Sequence, residues 1–265
     1  MIFTKYKLLL LAVIIGIISM SSSCEKPTPE PEITYGKLNV AFDFYWDNAP
    51  VEYDTLMYTN EAGNEYLIYE IQFFITKLTI YKDGKAKVLN GWQNEHYFDT
   101  EIPSTLSWPL VDEIDAGTYD SISFTFGFKD SDNESFMFVN PPESNMVWPE
   151  ENGGGYHYMK INGKWKDPNN YLRGSAFHIG RGQTYDANGN VTGYIDNSFE
   201  ITLPNSNFSI TAKKTTNIKF RMHVEEWFKN PNTYDHNTYG GDIMENQEAM
   251  NKACENAWNV FEFVK

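Results

Sequence analysis

A regular alternation of apolar and polar side chains starts at Leu38. Leu38, Val40, Phe42 and Phe44 are separated by polar or small residues, which is the two-residue period of a strand with one buried face. Similar runs, rich in β-branched and aromatic residues, predict further strands over 66–81, 119–128, 156–161, 171–179, 197–203 and 208–228. Many short strands joined by turns are typical of two antiparallel sheets packed face to face.

Turn-forming dipeptides separate several of these strands. Asp83-Gly84 lies between two β-rich runs and predicts a type I′ hairpin, because both central residues of that turn need positive φ. Asn162-Gly163 and Asn188-Gly189 predict two further turns.

Only the C-terminal tail has a helical period. Asp242 and Glu245 have the spacing of a capping box, and an apolar stripe follows the 3.6-residue period. Its members are Ile243, Met250, Cys254, Ala257, Trp258 and Phe261. The predicted fold class is therefore all-β, an antiparallel β-sandwich with a short C-terminal α-helix.

The N-terminal segment has the pattern of a bacterial lipoprotein signal. Lys5 and Lys7 precede an apolar stretch over 8–18, and three serines precede Cys24. The stretch is shorter than the roughly 20 residues that span a bilayer, so we predict a signal peptide over 1–23 and lipidation of Cys24. An ordinary secreted protein with a chance cysteine at this junction is the alternative.

A proline-rich tether over 24–36 is predicted to lead into a single domain over 37–265, because three prolines favour an extended chain. Acyl chains on Cys24 would attach the protein to a membrane. We therefore expect an outer membrane lipoprotein that faces the periplasm or the outside. With Cys24 lipidated, Cys254 has no partner for an intramolecular disulfide, so burial alone must stabilise the domain.

Charge excludes one large class of partner. The net charge is −15, and loss of Lys5 and Lys7 with the signal peptide makes it more negative. Nucleic acid is therefore not an expected partner, because its phosphates require basic surfaces. The chain also lacks a nucleophile elbow, a zinc-protease helix motif, a phosphate loop and a dinucleotide fingerprint, so we predict a binding protein without catalytic turnover.

Candidate chemistry is concentrated between Met146 and His178. Trp148 is followed by a glycine-rich loop and a strand in which His157 and Met159 alternate onto one face. His178 lies on a predicted neighbouring strand. Imidazole nitrogens and thioether sulfurs suit copper, especially the cuprous ion, although the same residues could simply pack on a sheet.

Several short motifs resemble the MbnP-like copper-binding proteins, a family found beside methanobactin genes and widely as lipoproteins. The resemblance covers roughly residues 38–263. It rests on Met146-x-Trp148-Pro149, Gly155-Tyr156, Lys160-Ile161-Asn162-Gly163 and His178-Ile179-Gly180, together with 73–76, 117–127 and the ending over 243–261.

The resemblance implies a β-rich extracytoplasmic domain that binds copper through histidines near a tryptophan oxidised to kynurenine. It also implies a di-haem peroxidase-like partner for that oxidation. Trp148 and His178 match the family motifs, and Glu150 and Glu151 stand where many members have a second tryptophan.

The second imidazole is assigned by residue type alone. His157 and His96 are the candidates, with Met146 and Met159 as nearby sulfurs. His223 and His236 are expected at the surface.

Two other functions stay open at the level of sequence. Surface aromatics could bind glycan or a protein partner in an adhesion module; the candidates are Trp92, Trp108, Trp165 and Trp227. Filling a disulfide-free core explains the same aromatics more simply. An enzyme with a carboxylate pair is the third possibility, because sequence spacing cannot reveal such a pair on a sandwich.

Overall fold

The structure is a computed structural model that describes Glu32 and residues 34–90 and 94–265. The predicted signal peptide, the lipidation site Cys24, nearly all of the tether and Trp92 lie outside the described residues. None of the described helices is long and apolar enough to cross a membrane.

Strands dominate the described chain. They are β1 (Tyr35–Trp46), β2 (Ala49–Pro50), β3 (Tyr58–Thr59), β4 (Glu65–Lys82), β5 (Lys85–Val88), β6 (Glu95–Asp99), β7 (Ser107–Pro109), β8 (Ile114–Asp115), β9 (Gly117–Tyr119), β10 (Ser121–Phe126), β11 (Met159–Lys166), β12 (Leu172–Ile179), β13 (Gly182–Tyr185), β14 (Val191–Ile195), β15 (Phe199–Thr202), β16 (Phe208–Ile210), β17 (Thr215–His223) and β18 (Phe261–Val264). The α-helices are α1 (His236–Tyr239) and α2 (Gln247–Asn256), and 3-10 turns cover Pro103–Leu106, Asp130–Asp132, Glu143–Met146, Glu150–Asn152, Val224–Phe228 and Ala257–Asn259.

Two sheets form the sandwich. One has the order β18-β17-β1-β2, with β7 and β8 also pairing β1; the other has the order β12-β11-β4-β10-β15, with β3, β5 and β6 also pairing β4. The pairing is antiparallel except between β1 and β17, which run parallel. The β-sandwich with a short C-terminal helix is confirmed.

Aromatic side chains from both sheets meet in the core. Phe42 of β1 lies 5.2 Å from Phe73 of β4 and 4.6 Å from Phe98 of β6, measured between ring centroids. Fully burying one such ring contributes roughly 2 kcal/mol. The aromatics therefore stabilise a domain that has no disulfide among its described residues.

Three of the four tryptophans named for the adhesion alternative belong to this core. Trp108, Trp165 and Trp227 are buried, with exposures of 4%, 6% and 0%. This agrees with the simpler interpretation of the sequence, in which these aromatics fill a disulfide-free core. The glycan-binding alternative loses these three candidates.

The predicted turns have mixed outcomes. Asp83 and Gly84 both have positive φ between β4 and β5, which confirms the hairpin, and Asn188-Gly189 connects β13 to β14. Asn162-Gly163 is not a turn but lies inside β11, where the register with β4 shifts. A Cβ on Gly163 would lie 2.0 Å from the carbonyl oxygen of Leu67, so the glycine permits close approach of two strands rather than chain reversal.

The C-terminal helix is shorter than its predicted stripe. The side chain of Asn246, not Asp242, caps α2 by accepting a hydrogen bond from the backbone N–H of Ala249. Phe261 lies in β18, which pairs with β17, and Trp258 is exposed. Pairing with a sheet edge therefore overrides the helical period at the end of the chain.

Candidate metal centre

A short hairpin brings Trp148 beside His157. Val147 and Tyr156 form an antiparallel bridge, and the backbone N–H of Trp148 donates to Gly155 at 2.8 Å. The turn between these segments contains three consecutive glycines, 153–155, all with positive φ. Only glycine adopts this backbone readily, so the glycine-rich loop seen in the sequence is what places the two rings side by side.

A β-bulge at Tyr158 then turns His157 toward His178. The backbone N–H of Tyr158 donates to the carbonyl of Ile179 at 2.7 Å, and Met159 also lies opposite Ile179. Two residues against one reverse the usual alternation of faces. His157 is therefore on the same face as Lys160, whose cross-strand partner is His178.

The predicted shared face of His157 and Met159 was consequently wrong. Met159 is fully buried and pairs with Phe73 on one side and Ile179 on the other. Its sulfur thus belongs to the core between the sheets, whereas the histidines lie on the outer face. Met146 is also buried, and it acts on the site through its backbone carbonyl.

Trp148, His157 and His178 form a continuous aromatic row, which we call the His-Trp row. The ring centroids of Trp148 and His157 are 4.7 Å apart at 77°, and those of His157 and His178 are 5.1 Å apart at 81°. Trp148 is fully buried, and its Nε1 donates to the carbonyl of Asn152 at 3.0 Å.

The hydrogen bonds of His157 fix which nitrogen carries its proton. Nδ1 lies 3.0 Å from the carbonyl oxygen of Met146, which can only accept, so Nδ1 is the donor. Nε2 therefore holds the lone pair. It is buried and has no hydrogen-bond partner within the described part of the chain.

A side-chain relay fixes the proton on His178 in the same way. The amide Nδ2 of Asn162 donates to the Glu70 carboxylate at 3.0 Å, so its Oδ1 faces His178 Nε2 at 2.8 Å and accepts from it. Nδ1 of His178 is left with its lone pair, buried and unpartnered among the described atoms. Partners of this kind orient metal-binding imidazoles in proteins.

Both rings are held neutral. Burial, assisted by the charge of Lys160, lowers the pKa of His157 to about 2 and that of His178 to about 4. Neutral imidazole is the form that binds a metal ion. Near neutral pH the His-Trp row thus presents two lone pairs that bind no proton.

The residues fit a cuprous ion better than zinc. In residues 34–90 and 94–265 no cluster of three or more His, Cys, Asp and Glu could hold a metal, whereas zinc needs at least three protein ligands. With metal–nitrogen bonds of about 2 Å, two rings that share an ion have centres no more than about 6 Å apart. The observed 5.1 Å meets this limit, and imidazole is a good copper ligand.

Comparison with known proteins now decides the family. The MbnP family model matches residues 35–248, most of the chain. This chain belongs to the MbnP family. No curated protein matches it significantly. A solved structure, MbnP from Methylosinus trichosporium, is 15% identical, with 74% of this chain and 78% of that chain covered and a TM-score of 0.49.

The remaining histidines of this MbnP family member lie outside the His-Trp row. His96 stacks on Trp108 at 5.0 Å, and its Nε2 donates to the carbonyl of Thr105, so its ring packs against the core and is not part of the row. His223 is partly exposed and bonds to Glu262 at 3.0 Å. His236, expected at the surface, is only 1% exposed, because Trp165, Tyr66 and Tyr234 surround it.

Two polar residues that hold the His-Trp row were not identified from the sequence. Asn162 was assigned to a turn, and Glu70 was one of many acids in a strand. One feature of the sequence could have identified Asn162: it lies two residues after Lys160, which puts both side chains on the same face of β11. Using that signal requires the register between β11 and β12, which a single sequence does not contain.

Proposed function

We propose that this MbnP family member is an extracytoplasmic lipoprotein that binds copper through His157 and His178 beside Trp148. The observation that carries the proposal is the pair of neutral imidazoles whose rings are 5.1 Å apart. Each ring has one nitrogen that donates to the protein and one buried nitrogen with no partner among the described residues.

An unpartnered buried nitrogen is costly unless something binds it. Leaving a buried acceptor unsatisfied costs about 1–3 kcal/mol, and two lie in adjacent rings. A bound cuprous ion would satisfy both nitrogens at once, and it would be the cargo that the protein stores or passes on. Family membership, which is copper-related, supports the same assignment.

The proposal extends to Trp148 and to a partner. Trp148 is in edge contact with His157, so an oxidised form of its ring would lie beside a proposed copper-binding imidazole. We propose that a di-haem peroxidase-like protein converts Trp148 to kynurenine with peroxide as the oxidant, which opens the indole ring, and that hydrolysis releases the lost ring carbon as formate. The N-terminal sequence up to Cys24 supports attachment to the outer membrane by lipid.

Copper analysis of the mature domain tests the metal assignment. The wild-type domain should hold stoichiometric copper at micromolar concentration, and His157→Ala and His178→Ala should each lose it. His223→Ala is the matched control, because His223 bonds to Glu262 at the surface. Wild-type protein without stoichiometric copper, or equal retention by all three variants, contradicts the proposal.

Intact-mass spectrometry of protein purified from its native membrane tests the rest. Acylation at Cys24 and oxidation of Trp148 change the mass by different amounts, and peptide mapping assigns each change to its residue. An unmodified cysteine would remove the lipid anchor, and an unmodified Trp148 would remove the oxidation step.

A further inference from the structure

One cation lies on the same sheet face as the two histidines. Lys160 of β11 is directly opposite His178 of β12, and opposite residues in an antiparallel pair have Cβ atoms about 5 Å apart. Its Nζ donates to the carbonyl of Asn145 at 3.0 Å. Asn145 precedes Met146, whose carbonyl orients His157, so the lysine reaches from one histidine toward the segment that holds the other.

The charge of Lys160 acts on both rings. Lys160 is opposite His178 on the sheet and bound to the residue before Met146, so its positive charge disfavours further positive charge at either ring. A metal ion between the rings adds positive charge in the same place. The carboxylates that act on these groups are Glu70, which accepts from Asn162 and attracts Lys160, Asp99, which also attracts Lys160, and Asp242, which attracts His178.

We propose that Lys160 is a specificity-determining residue that makes the His157–His178 site favour a monovalent metal ion over a divalent one. This inference rests on the copper site proposed above. Repulsion from a fixed cation is twice as large for a divalent ion as for a monovalent ion at the same position. At a separation of about 8 Å and an effective dielectric constant of about 30, the difference is roughly tenfold in relative affinity.

Neutralising the lysine tests the inference on the folded mature domain. In Lys160→Met, affinities for Cu(I) and Cu(II) are measured separately by competition with chelators of known affinity. The ratio of Cu(II) to Cu(I) affinity should rise roughly tenfold, and the copper midpoint potential should fall by about 59 mV for that tenfold change.

Two control variants separate charge from structure. Lys160→Arg keeps the positive charge and should keep the wild-type ratio. Lys166→Met makes the same change elsewhere on β11, where the lysine pairs with Glu65 at 3.1 Å, and should also leave the ratio unchanged. If the lysine is purely structural and only binds the carbonyl of Asn145, Lys160→Met would lower the affinities for Cu(I) and Cu(II) by the same factor.

The outcomes distinguish the role of Lys160 from the existence of the copper site. If wild-type protein binds copper and Lys160→Met leaves the ratio unchanged, or lowers both affinities equally, the role of Lys160 is refuted while the copper site stands. If wild-type protein binds neither ion, the copper site and the role of Lys160 fail together.

Discussion

Gly180 is the position where one added methyl group most directly tests the His-Trp row. It follows β12, two residues after His178. A Cβ built on Gly180 would lie 2.6 Å from Cε3 of Trp148, so the indole packs against bare backbone. We predict that Gly180→Ala destabilises the domain and moves Trp148 relative to His157.

The size of the effect follows from the distances. Ordinary carbon contacts begin at 3.4 Å, so the ring or the strand must move by about 0.8 Å in a close-packed interior. Overpacking of this kind costs about 1–3 kcal/mol. Because a domain of this size loses about 2–4 °C of Tm per kcal/mol, the variant should still fold and its site can be assayed.

Gly174→Ala is the matched control within β12. A Cβ on Gly174 meets nothing within 4 Å in the described structure, so the change should be neutral or slightly stabilising by restricting the unfolded chain. Urea unfolding gives the stability of both variants, and copper titration gives their affinity. Equal stability and equal copper affinity in the two variants would refute close packing of Trp148 on Gly180.

Two further predictions concern the polar groups around buried histidines. Asn162→Leu removes the acceptor for His178 Nε2. It should weaken copper binding by about 10-fold to 100-fold, as loss of such a hydrogen-bond partner usually does. Unchanged copper affinity in a competition titration would show that Asn162 does not orient the His178 ring. Burial lowers the pKa of His236 to about 4. As the pH falls below about 6.5, this histidine therefore takes up a proton in the unfolded chain before it does so in the folded protein. Up to about 3 kcal/mol of folding stability should be lost between pH 6.5 and pH 4. Urea unfolding across that range should show a smaller loss in His236→Phe, and an identical loss would contradict the assignment.

The sequence was sufficient for features that depend on local pattern. The alternation from Leu38 to Phe44 is confirmed as a buried face of β1, and Asp83-Gly84 is confirmed as a hairpin. Family motifs also singled out Trp148 and His178, and both rings lie in the His-Trp row. In each case the information is carried by a few consecutive residues, or by motifs whose order along the chain is diagnostic.

Features that depend on contacts between distant strands were not predictable. Asn-Gly is a good turn signal, yet Asn162-Gly163 lies inside β11 because the backbone of β4 approaches Gly163. His236 lies in a polar loop of the sequence, but Tyr66 and Trp165 from distant strands, together with Tyr234 of its own loop, enclose it. A periodicity argument contains neither the register of neighbouring strands nor the packing of separate loops.

The bulge at Tyr158 shows why the site itself belongs to this second group. Without it, His157 would alternate with Met159 onto the core face, and the two imidazoles would be on opposite sides of the sheet. Tyr158 fits its position because Gly127, at the end of β10, has no side chain: a Cβ there would lie 2.3 Å from Cγ of Tyr158. Gly127 in turn is held by β4, since its N–H donates to Phe74 and its carbonyl accepts from Thr76. The meeting of His157 with His178 therefore depends on a glycine 30 residues away from the first histidine, directly after a strand that carries no residue of the His-Trp row.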